Sequence, residues 1–218
     1  MKNHAPAKKP SAGRRPWAPV IAITGGPACG KSTVGGLLAA QGVDILDTDA
    51  VVAELLEQSP TVRAALRRHF GPGIFDRAGR IKKSVLAKIV FADPARLRVL
   101  EDLLHPLVKK RVGVWRGALR RRARPGAVLI PLLFEAGITH GWSAIVCVAT
   151  TPELMAARCR ARGWSPQETR RRLAAQWPLA RKMEQADYVI RNDGSLDNLA
   201  RAVRRTWRRI EQRERTNT

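Results

Sequence analysis

A glycine-rich segment near the amino terminus constrains the fold of this chain more than any other feature. Residues 25–33 read Gly-Gly-Pro-Ala-Cys-Gly-Lys-Ser-Thr and fit the phosphate-binding pattern G-x-x-x-x-G-K-[ST]. The apolar, partly β-branched residues 20–23 before them predict a buried strand, and Val34, Leu37 and Leu38 after them follow helical spacing. A strand, loop and helix in this order predict a P-loop, so a nucleoside triphosphate is the first ligand to consider.

Each fixed position of this loop has a physical reason. Gly25 and Gly30 permit a close approach that a Cβ atom would prevent, so that backbone amides can point at phosphate oxygens. The helix N-terminus adds unpaired N–H groups and a positive potential. We expect Lys31 to reach the β- and γ-phosphates and the Ser32 hydroxyl to ligate Mg²⁺. The nucleotide-binding residues predicted here are Gly26, Pro27, Ala28, Cys29, Gly30, Lys31, Ser32 and Thr33.

The charge balance narrows the class of partner without identifying one. The 218 residues include 40 Lys and Arg against 18 Asp and Glu, which gives a formal net charge of +22. Such a balance favours nucleotides, nucleic acid or a membrane surface. Three cysteines form no C-x-x-C pair, which indicates a reducing compartment, with the cytoplasm as the default location. No apolar run approaches the roughly 18 residues of a membrane span, so we expect no membrane partner.

Alternating strand and helix patterns predict an α/β protein with a parallel, doubly wound sheet. Residues 1–19 are basic, proline-rich and free of acidic side chains, so we predict a disordered tail there. Further strands are predicted at 43–46, 127–130, 143–148 and 188–190. Asp93 and Pro94 are typical of a helix start, and we expect Pro106 to interrupt that helix because it lacks a backbone donor.

Two pairs of side chains beyond the loop indicate phosphoryl transfer. Asp47 and Asp49 follow the second predicted strand, at the sheet edge where parallel α/β proteins bind ligands. A carboxylate there could take the proton of an attacking hydroxyl, or either residue could simply cap the next helix. Arg158 and Arg162, four residues apart, share one helix face and could close over the triphosphate as a lid, or form a solvated basic face.

Seven segments together resemble the dephospho-CoA kinase family, from about residue 22 to residue 207. They are Thr24-Gly25-Gly26-x-x-x-Gly30-Lys31-Ser32-Thr33, Asp47-x-Asp49, Leu103-Leu104-His105-Pro106, Pro131-Leu132-Leu133-Phe134-Glu135, Arg158-x-x-x-Arg162, Gln176-x-Pro178-Leu179-x-x-Lys182 and Ala186-Asp187-Tyr188-Val189-Ile190-x-Asn192-x-Gly194-Ser195. Apart from the P-loop, each segment alone is weak evidence for the family, but their number and their order along the chain are together highly specific for it.

The resemblance implies a reaction in which ATP, with Mg²⁺, phosphorylates the ribose 3′-hydroxyl of dephospho-CoA, giving CoA and ADP in the last step of coenzyme A synthesis. The catalytic residues implied are Asp49, Lys31 and Arg158. The residues implied around ATP, besides the P-loop, are Arg158, Arg162, Asn192 and Gly194. The residues implied on the acceptor side are Asp47, Asp49, His105 and Leu132.

The resemblance also implies a division of residues 20–218. Because the sequence has no recognised RNA- or DNA-reading motif, we expect no specific nucleic-acid partner, and the sequence leaves the oligomeric state open. The nucleotide core comprises 20–50, 125–151 and 186–218. A helical CoA-binding subdomain spans about 51–124, and a helical lid spans about 152–185. The competing interpretations are another P-loop nucleoside or nucleotide kinase, and a basic P-loop protein that binds nucleic acid through its arginines.

Three departures from the family pattern raise separate questions. Cys29 lies beside a helix N-terminus, which suggests a lowered thiol pKa and easy oxidation, the alternative being an inert residue that fills the loop. Gly35 and Gly36 should each weaken the P-loop helix by about 1 kcal/mol relative to Ala, unless close packing requires them. Beyond Ser32 the Mg²⁺ ligands are uncertain, with Glu135 a candidate for either a metal-binding or a structural role.

Overall fold

The computed structural model describes residues 18–216, so most of the tail predicted at 1–19 lies outside the described residues. The strands are β1 (Val20–Gly25), β2 (Asp44–Asp47), β3 (Gly126–Leu129), β4 (Ile145–Ala149) and β5 (Tyr188–Arg191). The helices are α1 (Lys31–Ala39), α2 (Thr48–Gln58), α3 (Pro60–Phe70), α4 (Lys83–Ala92), α5 (Pro94–Arg122), α6 (Pro152–Ala161), α7 (Pro166–Ala174), α8 (Leu179–Glu184) and α9 (Leu196–Thr216). None of these helices is long and apolar enough to cross a membrane.

All five strands form one parallel sheet in the order β2-β3-β1-β4-β5. The strand that leads into the P-loop therefore lies at the centre, paired with β3 on one side and β4 on the other. The chain moves to opposite sides of β1 in its two halves, which opens a crevice at the carboxyl ends of the strands. The predicted parallel, doubly wound α/β fold is confirmed.

Alternate residues of each strand face opposite helical layers, as the two-residue period of a strand requires. One face of the sheet packs against α1 and α9, with the buried residues Ile21, Ile23, Val34, Leu38, Leu129, Val146, Val203, Trp207 and Ile210. The other face packs against α2 and α5, with the buried residues Ala22, Val51, Val108, Val112, Val128, Ile130, Leu133 and Ile145. Burial on both faces explains why the three central strands, β3, β1 and β4, are almost entirely apolar, whereas the edge strands β2 and β5 carry charged residues.

Helices α2 to α5 form a projection that has a hydrophobic core of its own. Its buried residues are Leu56, Val62, Leu66, Ile74, Phe75, Leu86, Val90 and Leu104. These helices overlap the range of about 51–124 expected for a helical subdomain, although α2 begins slightly earlier, at Thr48. The domain division and the role in binding CoA stay predictions. Because α5 also packs on the sheet through Val108 and Val112, the projection is anchored beside the strand ends.

The expected interruption at Pro106 is wrong, because α5 continues through it for 29 residues. Pro106 cannot donate to the carbonyl of Asp102, yet both residues are exposed, so water can satisfy that carbonyl. On the opposite face Leu104 and Val108 are buried. Apolar packing of this face outweighs the roughly 3 kcal/mol that an interior proline costs a helix.

Candidate active site

The P-loop lies between β1 and α1 and depends on two glycines. Gly25 has φ +143°, and a Cβ atom there would lie 2.1 Å from the carbonyl oxygen of Val148. Gly30 has φ +101°, and a Cβ atom there would lie 2.2 Å from Asn192 Nδ2. Asn192 Nδ2 in turn donates a hydrogen bond to the carbonyl of Cys29 at 2.9 Å. The loop is therefore shaped by close backbone approach to β4 and by an amide held at the end of β5.

Lys31 begins α1 and folds back over the loop. Its ammonium donates to the carbonyl oxygens of Gly25 at 3.0 Å and Gly26 at 2.9 Å. Burial lowers the pKa of Lys31, partly offset by nearby groups that include Asp49. No side chain caps α1, which leaves its first amides available to an anion. The segment thus offers a fixed ammonium and free N–H groups, as phosphate binding requires.

Asp47 and Asp49 take different positions after β2. Asp47 caps α2 by accepting a hydrogen bond from the Asp49 amide at 2.9 Å, as the capping alternative allowed. Asp49 instead lines the open cleft beside the P-loop. Removal of water by the cleft walls, together with the charge of Asp47, raises the pKa of Asp49, while Lys31 opposes the shift. Asp49 is therefore the carboxylate placed to meet a ligand.

The cleft that contains Asp49 has a volume of about 390 Å³ and walls from three parts of the fold. His105 and Leu132, both predicted on the acceptor side, line it together with Lys31 and Ser32. The helical projection adds Val52, Phe91, Leu97, Leu100, Glu101 and Leu104, and the segment from α6 to α8 adds Arg162, Trp164, Arg172, Ala175 and Gln176. Apolar walls with a few converging polar groups are typical of small-molecule sites.

A second cavity of about 430 Å³ lies on the other side of the P-loop. It is lined by Ala28, Gly30, Thr33, Arg158, Ala161, Arg162, Asn192, Gly194, Leu196 and Leu199. Three of these residues, Ala28, Gly30 and Arg162, also line the cleft that contains Asp49. The residues implied around ATP besides the P-loop, namely Arg158, Arg162, Asn192 and Gly194, thus line this cavity, whereas Asp49 lines the other with Lys31 and Ser32.

The two predicted lid arginines differ in their surroundings. Arg158 is half-buried and donates to the carbonyl oxygen of Asn192 at 3.0 Å and to Thr150 Oγ1 at 3.4 Å. Arg162 is exposed and lines both cavities. Arg158 is therefore fixed to the strand ends of the core, whereas the Arg162 guanidinium has no hydrogen-bond or ion-pair partner among residues 18–216 and can reach a ligand.

The hypothesis of a lowered thiol pKa at Cys29 is wrong. The side chain is fully buried, and this burial raises the pKa of Cys29 despite the opposing charges of Lys31 and Arg158. Burial likewise raises the pKa of Cys147, to about 11. A helix N-terminus favours the thiolate, but the loss of water around the buried sulfur has the larger effect here.

Glu135 lies in an internal ion pair with Lys182 and is not among the residues that line the cleft with Ser32. Its Oε1 atom is 2.9 Å from Lys182 Nζ and accepts a hydrogen bond from the Trp177 amide at 2.7 Å. This arrangement ties the loop after β3 to the start of α8. Of the two roles considered from the sequence, these contacts favour the structural one for Glu135.

Sequence reasoning did not single out several cleft residues, among them Phe91 and Arg172. Arg172 pairs with Glu168 at 2.8 Å and stacks on Phe91 and Trp164, with centroid distances of 5.0 and 4.2 Å. It therefore joins α7 to α4 across the mouth of the cleft. The spacing of Glu168 and Arg172 signals an ion pair within one helix, but nothing in the sequence places Phe91 against it.

The sheet order, the central P-loop and the carboxylate across the cleft define the class of P-loop kinases. The family model described as "CoaE: Dephospho-CoA kinase" matches residues 19–198. The chain belongs to the dephospho-CoA kinase family.

Individual relatives agree with this membership. Dephospho-CoA kinase of Symbiobacterium thermophilum is 40% identical over 193 residues, which cover 87% of this chain and 80% of the relative. Dephospho-CoA kinase of Parasynechococcus marenigrum is 41% identical over 193 residues, which cover 88% of this chain and 96% of the relative. The crystal structure of TT1252 from Thermus thermophilus superposes with a TM-score of 0.74 at 35% identity, covering 88% of this chain and 98% of that one.

Proposed function

We propose that this chain transfers the γ-phosphoryl group of ATP to the ribose 3′-hydroxyl of dephospho-CoA, giving CoA and ADP. The observation that carries the proposal is the shared cleft, in which Lys31 and Ser32 of the P-loop lie with Asp49 after the neighbouring strand. A phosphoryl donor held by the loop and an acceptor hydroxyl held by the carboxylate would meet there. Membership of the family supplies the identity of the acceptor.

For this reaction the protein must mainly position the two substrates and neutralise the charge on the transferring phosphoryl group. The loop amides and Lys31 bind the β- and γ-phosphates, and Arg162 approaches from the side shared by both cavities. Asp49 accepts the proton of the 3′-hydroxyl while that oxygen forms a bond to the γ-phosphorus. The bond from the γ-phosphorus to the β–γ bridging oxygen breaks, and ADP leaves. Arg158 orients the strand ends that flank the donor, through its bond to Asn192.

The residues present fit a magnesium ion that is held largely by substrate. The Ser32 hydroxyl is exposed in the first turn of α1, and Asp49 lies across the same cleft. Residues 18–216 contain no cluster of three His, Cys, Asp or Glu side chains that could hold a metal by themselves. Mg²⁺ commonly takes one or two protein oxygens and fills its sphere with water and phosphate oxygens. When bound, it neutralises charge on the transferring phosphate.

The test is a coupled assay of ADP release by the purified full chain. Dephospho-CoA, adenosine, nucleoside monophosphates and no acceptor are offered in parallel, and we expect turnover with dephospho-CoA alone. Replacement Asp49→Asn should lower kcat by about 10²–10⁴-fold with little change in ATP binding, since it removes a general base. Asp93→Asn, which removes an acid but keeps the helix cap of α5, is the charge-matched control.

Two outcomes would contradict the proposal. Turnover with a nucleoside monophosphate but not with dephospho-CoA would favour the other small-molecule kinases considered from the sequence. Unchanged turnover in the Asp49→Asn variant would remove that residue as the base. The expectation of no specific nucleic-acid partner and the cytoplasmic location stay predictions, which this assay does not test.

A further inference from the structure

A fully buried ammonium lies behind the wall of the cleft that contains Asp49. Lys182, on α8, has no solvent exposure, although lysine is among the residues least often buried. Its Nζ atom lies 2.8 Å from the carbonyl oxygen of Pro131, 2.9 Å from Glu135 Oε1 and 3.1 Å from Gln176 Oε1. An ammonium has three N–H donors, so these three oxygens use all of them. The group is therefore fixed in place.

Two of its three partners, Pro131 and Gln176, are residues that line the cleft. The carbonyl of Pro131 also accepts a hydrogen bond from Thr24 Oγ1, on the strand that enters the P-loop. Glu135 holds the chain next to Gln176, because its Oε1 atom accepts from the Trp177 amide. The Trp177 ring stacks on Phe134, with centroids 5.6 Å apart and planes 8° from parallel. Both the side chain and the following peptide of Gln176 are thus held.

The ammonium decides which end of the Gln176 amide faces the cleft. Lysine offers donors and no acceptor, so only the amide oxygen can face Lys182 Nζ. The Nε2 group with its two donors must then project from the other side of the amide. Among residues 18–216 the structure gives Nε2 no hydrogen-bond acceptor, and the residue lines an open cleft. A fixed donor without a protein partner, directed from a cleft wall, is suited to bind a ligand.

The position of Gln176 indicates which ligand it meets. It lines the cleft that contains Asp49 and His105, and it is absent from the wall of the cavity around Asn192 and Gly194. We propose that Gln176 binds the acceptor nucleotide, donating through Nε2 to one of its oxygens or ring nitrogens, with Lys182 and Glu135 as positioning residues. This inference rests on the proposed kinase function and adds a residue that determines acceptor binding.

The test compares two substrates in the same full-length enzyme. Gln176→Met removes the donor while keeping the length of the side chain. We expect the KM for dephospho-CoA to rise about tenfold, the effect of one lost hydrogen bond to a ligand, with the KM for ATP within about twofold. Titration with the products should agree, with CoA bound more weakly and ADP bound equally. Gln185→Met, at the exposed end of α8 and outside both cavities, is the matched control.

The positioning role is tested by a double-mutant cycle. Lys182→Met alone would leave the Glu135 carboxylate buried without a partner, and one of its oxygens already lacks a hydrogen bond within residues 18–216. The neutral pair Lys182→Met with Glu135→Gln avoids that charge. If Lys182 acts through Gln176, this pair raises the KM for dephospho-CoA in the wild-type background and not further in the Gln176→Met background.

The results that would overturn this inference differ from those that would overturn the proposed function. Wild-type turnover on dephospho-CoA with an unchanged acceptor KM in Gln176→Met overturns this inference and leaves the proposed function standing. Equal losses of CoA and ADP affinity would show a general structural role and would also overturn it. A wild-type enzyme that does not phosphorylate dephospho-CoA overturns the proposed function and this inference together.

Discussion

The paired glycines of α1 allow one stability effect to be worked out from geometry. A Cβ atom at Gly36 would meet no heavy atom within 4 Å, and the residue is exposed in the helix interior. Gly36→Ala should therefore gain the full difference in helix propensity, about 0.8–1 kcal/mol. A Cβ atom at Gly35 would lie 3.1 Å from Leu129 Cδ1 and 3.6 Å from Ile45 Cγ2, against the sheet. Crowding there should offset the same gain.

Urea and thermal unfolding of the wild-type chain and the two variants provide the measurement. For a domain of this size, 1 kcal/mol corresponds to a change in Tm of about 2–4 °C, so Gly36→Ala should melt that much higher. Gly35→Ala should melt at or below the wild-type temperature. Equal stabilisation by both substitutions would refute the packing argument, and no stabilisation at Gly36 would refute the propensity argument. ATP binding should survive in Gly36→Ala, which changes only the solvent face of the helix.

Two further predictions concern the titration of Asp49 and the burial of the three cysteines. Because the pKa of Asp49 is raised in the folded protein, its ionisation costs stability, and the contribution of this group to stability grows as pH falls through the folded pKa. Asp49→Asn should therefore have a higher Tm than the wild type near pH 7 and the same Tm at low pH. The activity of the wild type should be lost on the acid side at a pH above the pKa of an ordinary aspartate. Tm curves of the two proteins that stay parallel across the pH range would contradict this reasoning. Cys29, Cys147 and Cys159 are all buried, so a thiol reagent should label none of them until the chain unfolds, with or without ATP; rapid labelling of folded Cys29 would contradict the burial.

Local signals in the sequence were sufficient for the elements that carry the phosphate site. The P-loop pattern, the apolar strands and the helix cap at Asp93 each depend on neighbours within a few residues, and the structure has all of them. The continuity of α5 through Pro106 depends instead on apolar packing against distant elements. Local propensity predicted an interruption there, and tertiary packing overrode it.

The pKa of the Cys29 thiol is a second property that local sequence could not predict. Its neighbours in sequence, a helix N-terminus and Lys31, both lower a thiol pKa. The chain around it removes water, and this effect is larger and of opposite sign. Desolvation comes from residues far away in sequence, so no local pattern could have supplied it.

The sequence by itself determined the triphosphate loop, the parallel α/β fold and the family, because these depend on residue types at fixed spacing along the chain. Only the tertiary structure decided which groups face the cleft. It assigned Asp47 to a helix cap, placed Asp49 and Arg162 on the wall of the cleft, and fixed Arg158 to the core. It also placed Lys182 behind Gln176 and so set the direction of that amide. Hydrogen-bond partners and burial are properties of segments brought together in space, which no spacing along the chain records.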